Sequence, residues 1–259
     1  MCGVTEPIRI GILGDFNPEF RSHHATNDSL QHAARKLGIT VESVWLPTPS
    51  LLEPNAAGIL ESFDGLWASP GSPYRSFDGM LKGIEFARVH DWPFLATCGG
   101  FQYTVIECAR NVLSLTDATT AEEDPQAKNI VIYPVACAVP NRTGNAPKLS
   151  GQVPEIRLRP GSYLAGYYGK ETVEEEFFCN YELNPEFEWT AMEAGFPVVA
   201  RGANEEGRAI ESPAHLFFVA TLFQPQLSSR PPNPHPLIVA FVGAAKDFNR
   251  KKLDDLILT

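Results

Sequence analysis

Trp92-Pro-Phe-Leu-Ala-Thr-Cys-Gly-Gly-Phe-Gln102 is the stretch from which the fold of this chain can be read. The apolar run from Pro93 to Thr97 predicts a short buried strand, and Phe101 to Asn111 predicts a helix. Cys98 stands at the end of the strand, and Gly99 and Gly100 allow a tight turn into the helix without a Cβ clash. A reactive side chain on a strand-to-helix turn is a nucleophile elbow. The helix N-terminus behind it favours a thiolate and offers free N–H groups to an oxyanion. The stretch therefore points to a cysteine nucleophile acting on a small-molecule substrate.

Upstream, Ile8 to Leu13, Thr40 to Trp45 and Phe63 to Ala68 predict three more strands. Between them the sequence predicts a loop through Arg21-Ser-His-His24 and a helix from Ser29 to Leu37, capped by Asn27 or Asp28 and stopped by Gly38. Pro47 to Ala57 reads as a loop with one helical turn, and Phe77 to Val89 as a helix. Alternating strands and helices mean βαβ units, hence an α/β fold with a parallel sheet covered by helices on both faces. Ligands bind such sheets at the carboxyl ends of the strands, which nominates His23 and His24 in the first loop.

Downstream, Asp117 to Lys128 reads as a solvated acidic loop, Ile130 to Val139 as a strand and Asn141 to Lys148 as another loop. Strands are expected at Glu155 to Leu158 and Thr172 to Phe178, about a turn at Pro160-Gly161. A helix at Asn184 to Ala194, a hairpin of Val198 to Arg201 with Ala209 to Glu211, a strand at Leu216 to Phe223 and a helix at Pro236 to Lys246 complete the reading. With no repeat and no dividing linker, residues 1–259 are expected to form one domain.

Apolar residues at 44% and charged residues at 20% are an ordinary globular balance. A net charge of −10 argues against nucleic acid and anionic membranes as partners. No apolar stretch approaches a membrane-spanning length, and Met1-Cys-Gly-Val-Thr-Glu-Pro7 lacks the pattern of a signal peptide. The five cysteines form no C-x-x-C pair, which argues against a disulfide framework or a zinc site and suggests a reducing cytoplasm. Gly11-x-x-Gly14 is not a dinucleotide fingerprint, so neither a cofactor nor a metal is expected.

Four stretches resemble the class I glutamine amidotransferase domain, most closely the C-terminal glutaminase domain of CTP synthase. They are Phe63 to Pro73, Gly83 to Asn111, Tyr181-Glu-Leu-Asn184, and His215 to Gln226 followed by Ser229-Arg-Pro231 and His235-Pro-Leu237. The resemblance implies a flavodoxin-like α/β fold with a mixed, mostly parallel sheet flanked by helices, and thiolate attack on an amide, with a His as proton relay and a Glu as its orienter. It implies Cys98 as nucleophile, the amides of Gly99 and Gly71 as oxyanion donors, and Gln102 at the substrate pocket. The family's Phe-His-Pro-Glu is here Phe223-Gln-Pro-Gln226, so Gln224 and Gln226 stand where relay and orienter should be. A primary amide cannot shuttle a proton near neutrality.

The stretch matching the Arg- and His-rich carboxylate site of CTP synthase reads Glu174-Glu-Glu-Phe-Phe-Cys179. Glu174 and Phe177 become candidate substrate contacts, and Glu176 a candidate carboxylate base. Strand alternation puts Glu174 and Glu176 on one side. His215 and His235 match scaffold positions, Cys108 reads as core, and Cys179 carries no motif. The expectation is a stand-alone, amidotransferase-like enzyme using Cys98 on a small amide or related electrophile, with ordinary glutaminase activity lost. The alternatives are a non-catalytic pseudoenzyme that binds a metabolite or partner, and a weak glutaminase subunit of a CTP synthase-like system. Partners would be a small-molecule substrate with either a second copy of the chain or a separate synthetase.

Overall fold

A computed structural model describes residues 6–135 and 149–257. The expected loop from Asn141 to Lys148, the last residues of the strand expected to reach Val139, and Cys2 and Cys137 lie outside the described residues. In chain order the elements are β1 (Ile8–Leu13), α1 (Arg21–Leu37), β2 (Val41–Leu46), a 3-10 turn (Thr48–Leu52), α2 (Ala56–Glu61), β3 (Gly65–Ala68), α3 (Phe77–Val89), β4 (Phe94–Thr97) and α4 (Gly99–Asn111). Then come β5 (Thr119–Thr120), β6 (Ile130–Pro134), β7 (Leu149–Leu158), α5 (Tyr163–Tyr168), β8 (Thr172–Cys179), β9 (Tyr181–Leu183) and α6 (Pro185–Glu193). The chain continues with β10 (Val198–Arg201), β11 (Gly207–Glu211), β12 (Phe218–Thr221), a 3-10 turn (Pro225–Leu227) and α7 (Pro236–Ile257).

Nine strands form one sheet in the order β2-β1-β3-β4-β12-β11-β10-β7-β8, and β5, β6 and β9 form a second, small one. From β2 to β12 all neighbours are parallel, and from β12 to β8 all are antiparallel. This is the mixed, largely parallel sheet anticipated above. β3, β4 and β12 are buried at every position, as near-continuous apolar strands covered on both faces should be. The parallel register pairs Thr97 with Thr221 and Ala68 with Ala96, so β3, β4 and β12 end level with one another.

Four helices depart from expectation, three of them through a tertiary contact. α1 begins at Arg21, so the expected loop Arg21 to His24 is its first turn. The side-chain oxygen of Asn27, read as a cap, instead accepts a hydrogen bond from Trp45 Nε1 at 2.9 Å. α5 follows the Pro160-Gly161 turn because Ser162 caps it and the Glu211 carboxylate accepts the amides of Tyr163 and Leu164, both at 3.0 Å. The one helical turn expected in the proline-marked loop is the 3-10 turn Thr48–Leu52, and α2 begins at the end of that loop and runs past it to Glu61. α7 continues past Lys246 to Ile257, where Asn249 and Lys252 bond to Asp64 at 3.0 and 3.1 Å.

α3 and α4 are locked together by Arg88 and Glu107. The guanidinium meets the carboxylate through Nε at 2.8 Å and Nη2 at 2.7 Å, and Glu107 is fully buried. Arg88→Ala would strand that carboxylate in the interior. We expect it to lower stability by about 3–5 kcal/mol. Urea unfolding checks this, and an unchanged midpoint would mean that the pair does not anchor the two helices.

Candidate active site

The carboxyl ends of β1, β3, β4 and β12 converge on one edge of the sheet. Cys98 follows β4 directly, and its amide bonds to Thr221 O at 2.9 Å. Its backbone lies at φ 53° and ψ −110°, a strained conformation for a residue with a Cβ. Such strain costs about 1–3 kcal/mol and persists only where the surroundings impose it. Two glycines impose it here. A Cβ on Gly100 would collide with the Ala68 carbonyl, and one on Gly99 would lie 2.9 Å from Ser72 N. The turn therefore packs flush against the Ser69 to Ser72 segment after β3, with Gly100 N on Ser69 O at 3.2 Å.

The sulfur of Cys98 lies 3.3 Å from the sulfur of Cys179, the last residue of β8, and 3.6 Å from Phe178 O. The thiol of Cys98 is more acidic than an ordinary one. A hydrogen bond from Cys179 is the largest cause, burial opposes it, and the amides of Gly99 and Gly71 add to the lowering. Cys179 is pushed well above the usual thiol range, because it donates to Cys98 and is buried. These directions put the charge on Cys98 and the single proton of Cys179 toward it; Leu222 O, 3.3 Å from the Cys179 sulfur, is the alternative acceptor for that proton.

Gly71 adopts φ +105°, and a Cβ there would sit 3.0 Å from His23 Nε2. His23 is buried in the first turn of α1. Its Nδ1 accepts from Asn17 N at 2.9 Å, so its Nε2–H donates to Pro70 O at 3.0 Å. Burial lowers its pKa, which suits this neutral role. His23 thus braces the oxyanion-side turn and does not bond to the sulfur. His24 is exposed and bonds to Pro18 O at 2.8 Å.

Gln102 is buried, donates to Tyr181 O at 3.2 Å and accepts from Ser72 Oγ at 3.4 Å. Beside it lies Glu122, from the stretch expected to be solvated. It is half-buried, and its Oε2 is fully buried without a partner among the described residues. Burial raises its pKa, and a hydrogen bond with Ser72 partly offsets this. Its charge opposes ionisation of both Cys98 and Tyr181. Cys179, Glu122, Ser72 and Tyr181 are the site residues that the sequence reading missed. Strand alternation marks Cys179 as inward-facing with Glu175 and Phe177. No local signal distinguishes Glu122 from its exposed neighbours.

Gln224 and Gln226 are buried in the turn after β12. Gln224 N bonds to Glu176 O at 2.9 Å, and Gln226 Nε2 approaches Gln224 Oε1 at 3.4 Å. Gln226 Oε1 is buried with no partner among the described residues.

The other candidates lie apart. Phe177, expected at the substrate pocket, is 1% exposed and packs in the core against Phe223 and Arg208, because its strand turns odd-numbered residues inward. Glu174 faces outward instead, at a cleft of about 570 Å³ shared with Tyr168, Glu175 and His235. Glu176 pairs with Arg21 at 3.1 Å. His235 bonds to Glu175 at 3.0 Å, and His215 to Arg88 O at 2.9 Å. Among the described residues no group of three or more His, Cys, Asp or Glu side chains could hold a metal ion, and no helix is long and apolar enough to cross a membrane.

Comparison with known proteins agrees with this fold. Residues 22–242 match the family described as glutamine amidotransferase class-I. The chain is 34% identical to the CTP synthase of Gloeothece citriformis, over 100% of this chain and 46% of that protein. It is 32% identical to the CTP synthase of Saccharolobus solfataricus, over 92% of this chain and 44% of that protein. It therefore spans about half the length of these relatives. Its fold matches the glutaminase domain of Trypanosoma brucei CTPS with bound acivicin at a TM-score of 0.84 and 24% identity, covering 93% of this chain and 94% of that one. A glutamine amidotransferase from Thermotoga maritima matches at a TM-score of 0.51 and 11% identity, covering 98% and 100%. The chain belongs to the class I glutamine amidotransferase family.

A thiol with a lowered pKa keeps its reactive form at more acidic pH than a free cysteine. The alkylation rate of Cys98 by iodoacetamide should reach half its maximum at a lower pH than that of a free cysteine. Cys179→Ala removes the largest stabilising contact and should move that midpoint upward. Identical pH profiles for the two proteins would refute the S–H donor as the cause.

Proposed function

We propose, on the premise of that family membership, that this chain uses Cys98 as a nucleophile on a small amide or related electrophilic metabolite, and that ordinary glutamine hydrolysis is lost. The carrying observation is the strained elbow, whose sulfur is biased to the thiolate by a neighbouring S–H and two peptide amides. The sulfur adds to the carbonyl carbon, and the amides of Gly71 and Gly99 receive the developing oxyanion. The carbon–nitrogen bond then breaks, the amine leaves with a proton, and water releases the acyl group from the thioester.

Gln224 and Gln226 occupy the relay and orienter positions in this reading, so the proton must come from elsewhere. Glu122 is the best-placed carboxyl, because partial burial raises its pKa toward the working range of a general acid. We prefer it to Glu176, whose carboxylate is engaged by Arg21. Glu122 also sets the substrate class. Its buried Oε2, without a partner among the described residues, favours a substrate that brings a hydrogen-bond donor there over one that brings a carboxylate. A second reading, a non-catalytic metabolite binder, draws on the low 8% exposure of Cys98.

Electrophilic amide analogues separate the two readings. Those bearing an amine should label Cys98 faster than those bearing a carboxylate, and Glu122→Gln should narrow the difference. Absence of any Cys98 adduct, or equal labelling of every cysteine, would favour the binder. Glutamine itself should be turned over on the order of 10⁴-fold more slowly than by a relative with an intact relay. We expect Gln224→His with Gln226→Glu to leave ammonia release low. Full recovery would show that the pocket still fits glutamine.

A further inference from the structure

Cys179 has no part in the chemistry above except as a hydrogen-bond donor, yet it is the side chain nearest the nucleophile in kind and in space. The two sulfurs lie 3.3 Å apart, on residues 81 positions apart in sequence. A disulfide needs about 2.05 Å between sulfurs, so closure requires a shift of only about 1.2 Å. Small side-chain rotations at Cys98 and Cys179 would share it. The two thiols differ in character, as a reactive pair requires: one is biased to the thiolate, and the other is kept protonated. Cys108, the third cysteine among the described residues, is buried beside Glu107, and burial keeps its thiol protonated.

We propose that Cys98 and Cys179 form a two-cysteine site that reduces hydrogen peroxide or a small alkyl hydroperoxide, with Cys98 attacking and Cys179 resolving. The Cys98 thiolate attacks one peroxide oxygen and the O–O bond breaks. Cys98 becomes a sulfenic acid, and hydroxide, or the alkoxide of an alkyl hydroperoxide, leaves and takes up a proton to form water or the alcohol. Cys179 sulfur then attacks the sulfenic sulfur. The S–O bond breaks, the S–S bond forms, and water carries away the hydroxyl with the Cys179 proton. Two thiols have lost two electrons, and the peroxide has gained them. An external dithiol returns the pair to its reduced state by exchange. The disulfide removes the nucleophile, so any amide chemistry at Cys98 stops while it persists. The inference uses the same thiolate as the proposed function but requires no amide substrate.

The test treats the reduced full chain with stoichiometric hydrogen peroxide, blocks remaining thiols with N-ethylmaleimide and maps the digest by mass spectrometry. The expected product is a cross-link joining the Cys98 and Cys179 peptides, lighter by two hydrogens and reversed by dithiothreitol. In Cys179→Ser the reaction should stop at a Cys98 sulfenic acid that dimedone traps. The cross-link map of the unaltered chain decides the matter even if that variant fails to fold. Three results would overturn the proposal: Cys98 passing to sulfinic acid while Cys179 is recovered as a free thiol, either residue cross-linking to Cys2, Cys108 or Cys137 instead, or Cys98 remaining unoxidised. A cross-link without electrophile labelling would remove the amide reading alone, and labelling without a cross-link would remove this one alone.

Discussion

A residue with a Cβ is held at φ 53° between a buried strand and a helix, and the rest of the site is arranged around that turn. The strain, about 1–3 kcal/mol, is small against the burial of β3, β4 and β12 on both faces. The sheet can impose it because the strands on either side end level with β4. The Ala68 carbonyl and Ser72 amide close off the space beside Gly99 and Gly100, and Cys98 N is tied to Thr221 O. The Arg88–Glu107 pair then fixes the helix behind the turn. The sulfur is presented at the sheet edge because no other position satisfies these contacts together.

Two effects compete at the sulfur. Burial and the charge of Glu122 disfavour the thiolate, whereas the Cys179 S–H and the amides of Gly99 and Gly71 favour it. The hydrogen bonds win without a cation or an imidazole from the described residues bonded to the sulfur. Five histidines are committed elsewhere by ring hydrogen bonds: His23 to the Pro70 turn, His24 to Pro18, His32 to Ser229, His215 to Arg88 and Ser212, and His235 to Glu175 and Tyr168. A thiolate favoured by neighbouring S–H and N–H groups suits attack on an electrophilic carbonyl. It suits peroxide as well, which needs only a thiolate and a nearby resolving thiol.

Much of the first half of the chain was legible because its strands are short apolar runs and its helix α3 has clear periodicity. The elbow was legible because Cys-Gly-Gly between a strand and a helix leaves few other conformations. The start of α1 was not, because Asn27 spends its cap-competent oxygen on Trp45, a partner on another element. The same holds for α5, whose N-terminal amides are satisfied by Glu211 from β11. In both cases a long-range hydrogen bond outweighs the local signal.

From the order of its residues alone, this protein was committed to a parallel α/β core and to Cys98 on a tight turn at a strand end. Those features depend on neighbours a few positions apart, and local sterics and periodicity decide them. The pairing of Cys98 with Cys179, the inward turn of Glu122 and the bracing of Gly71 by His23 came only from the tertiary structure. Each joins segments far apart in the chain, and which inward-facing side chains meet depends on how β8 and the loop after β5 close over the sheet edge.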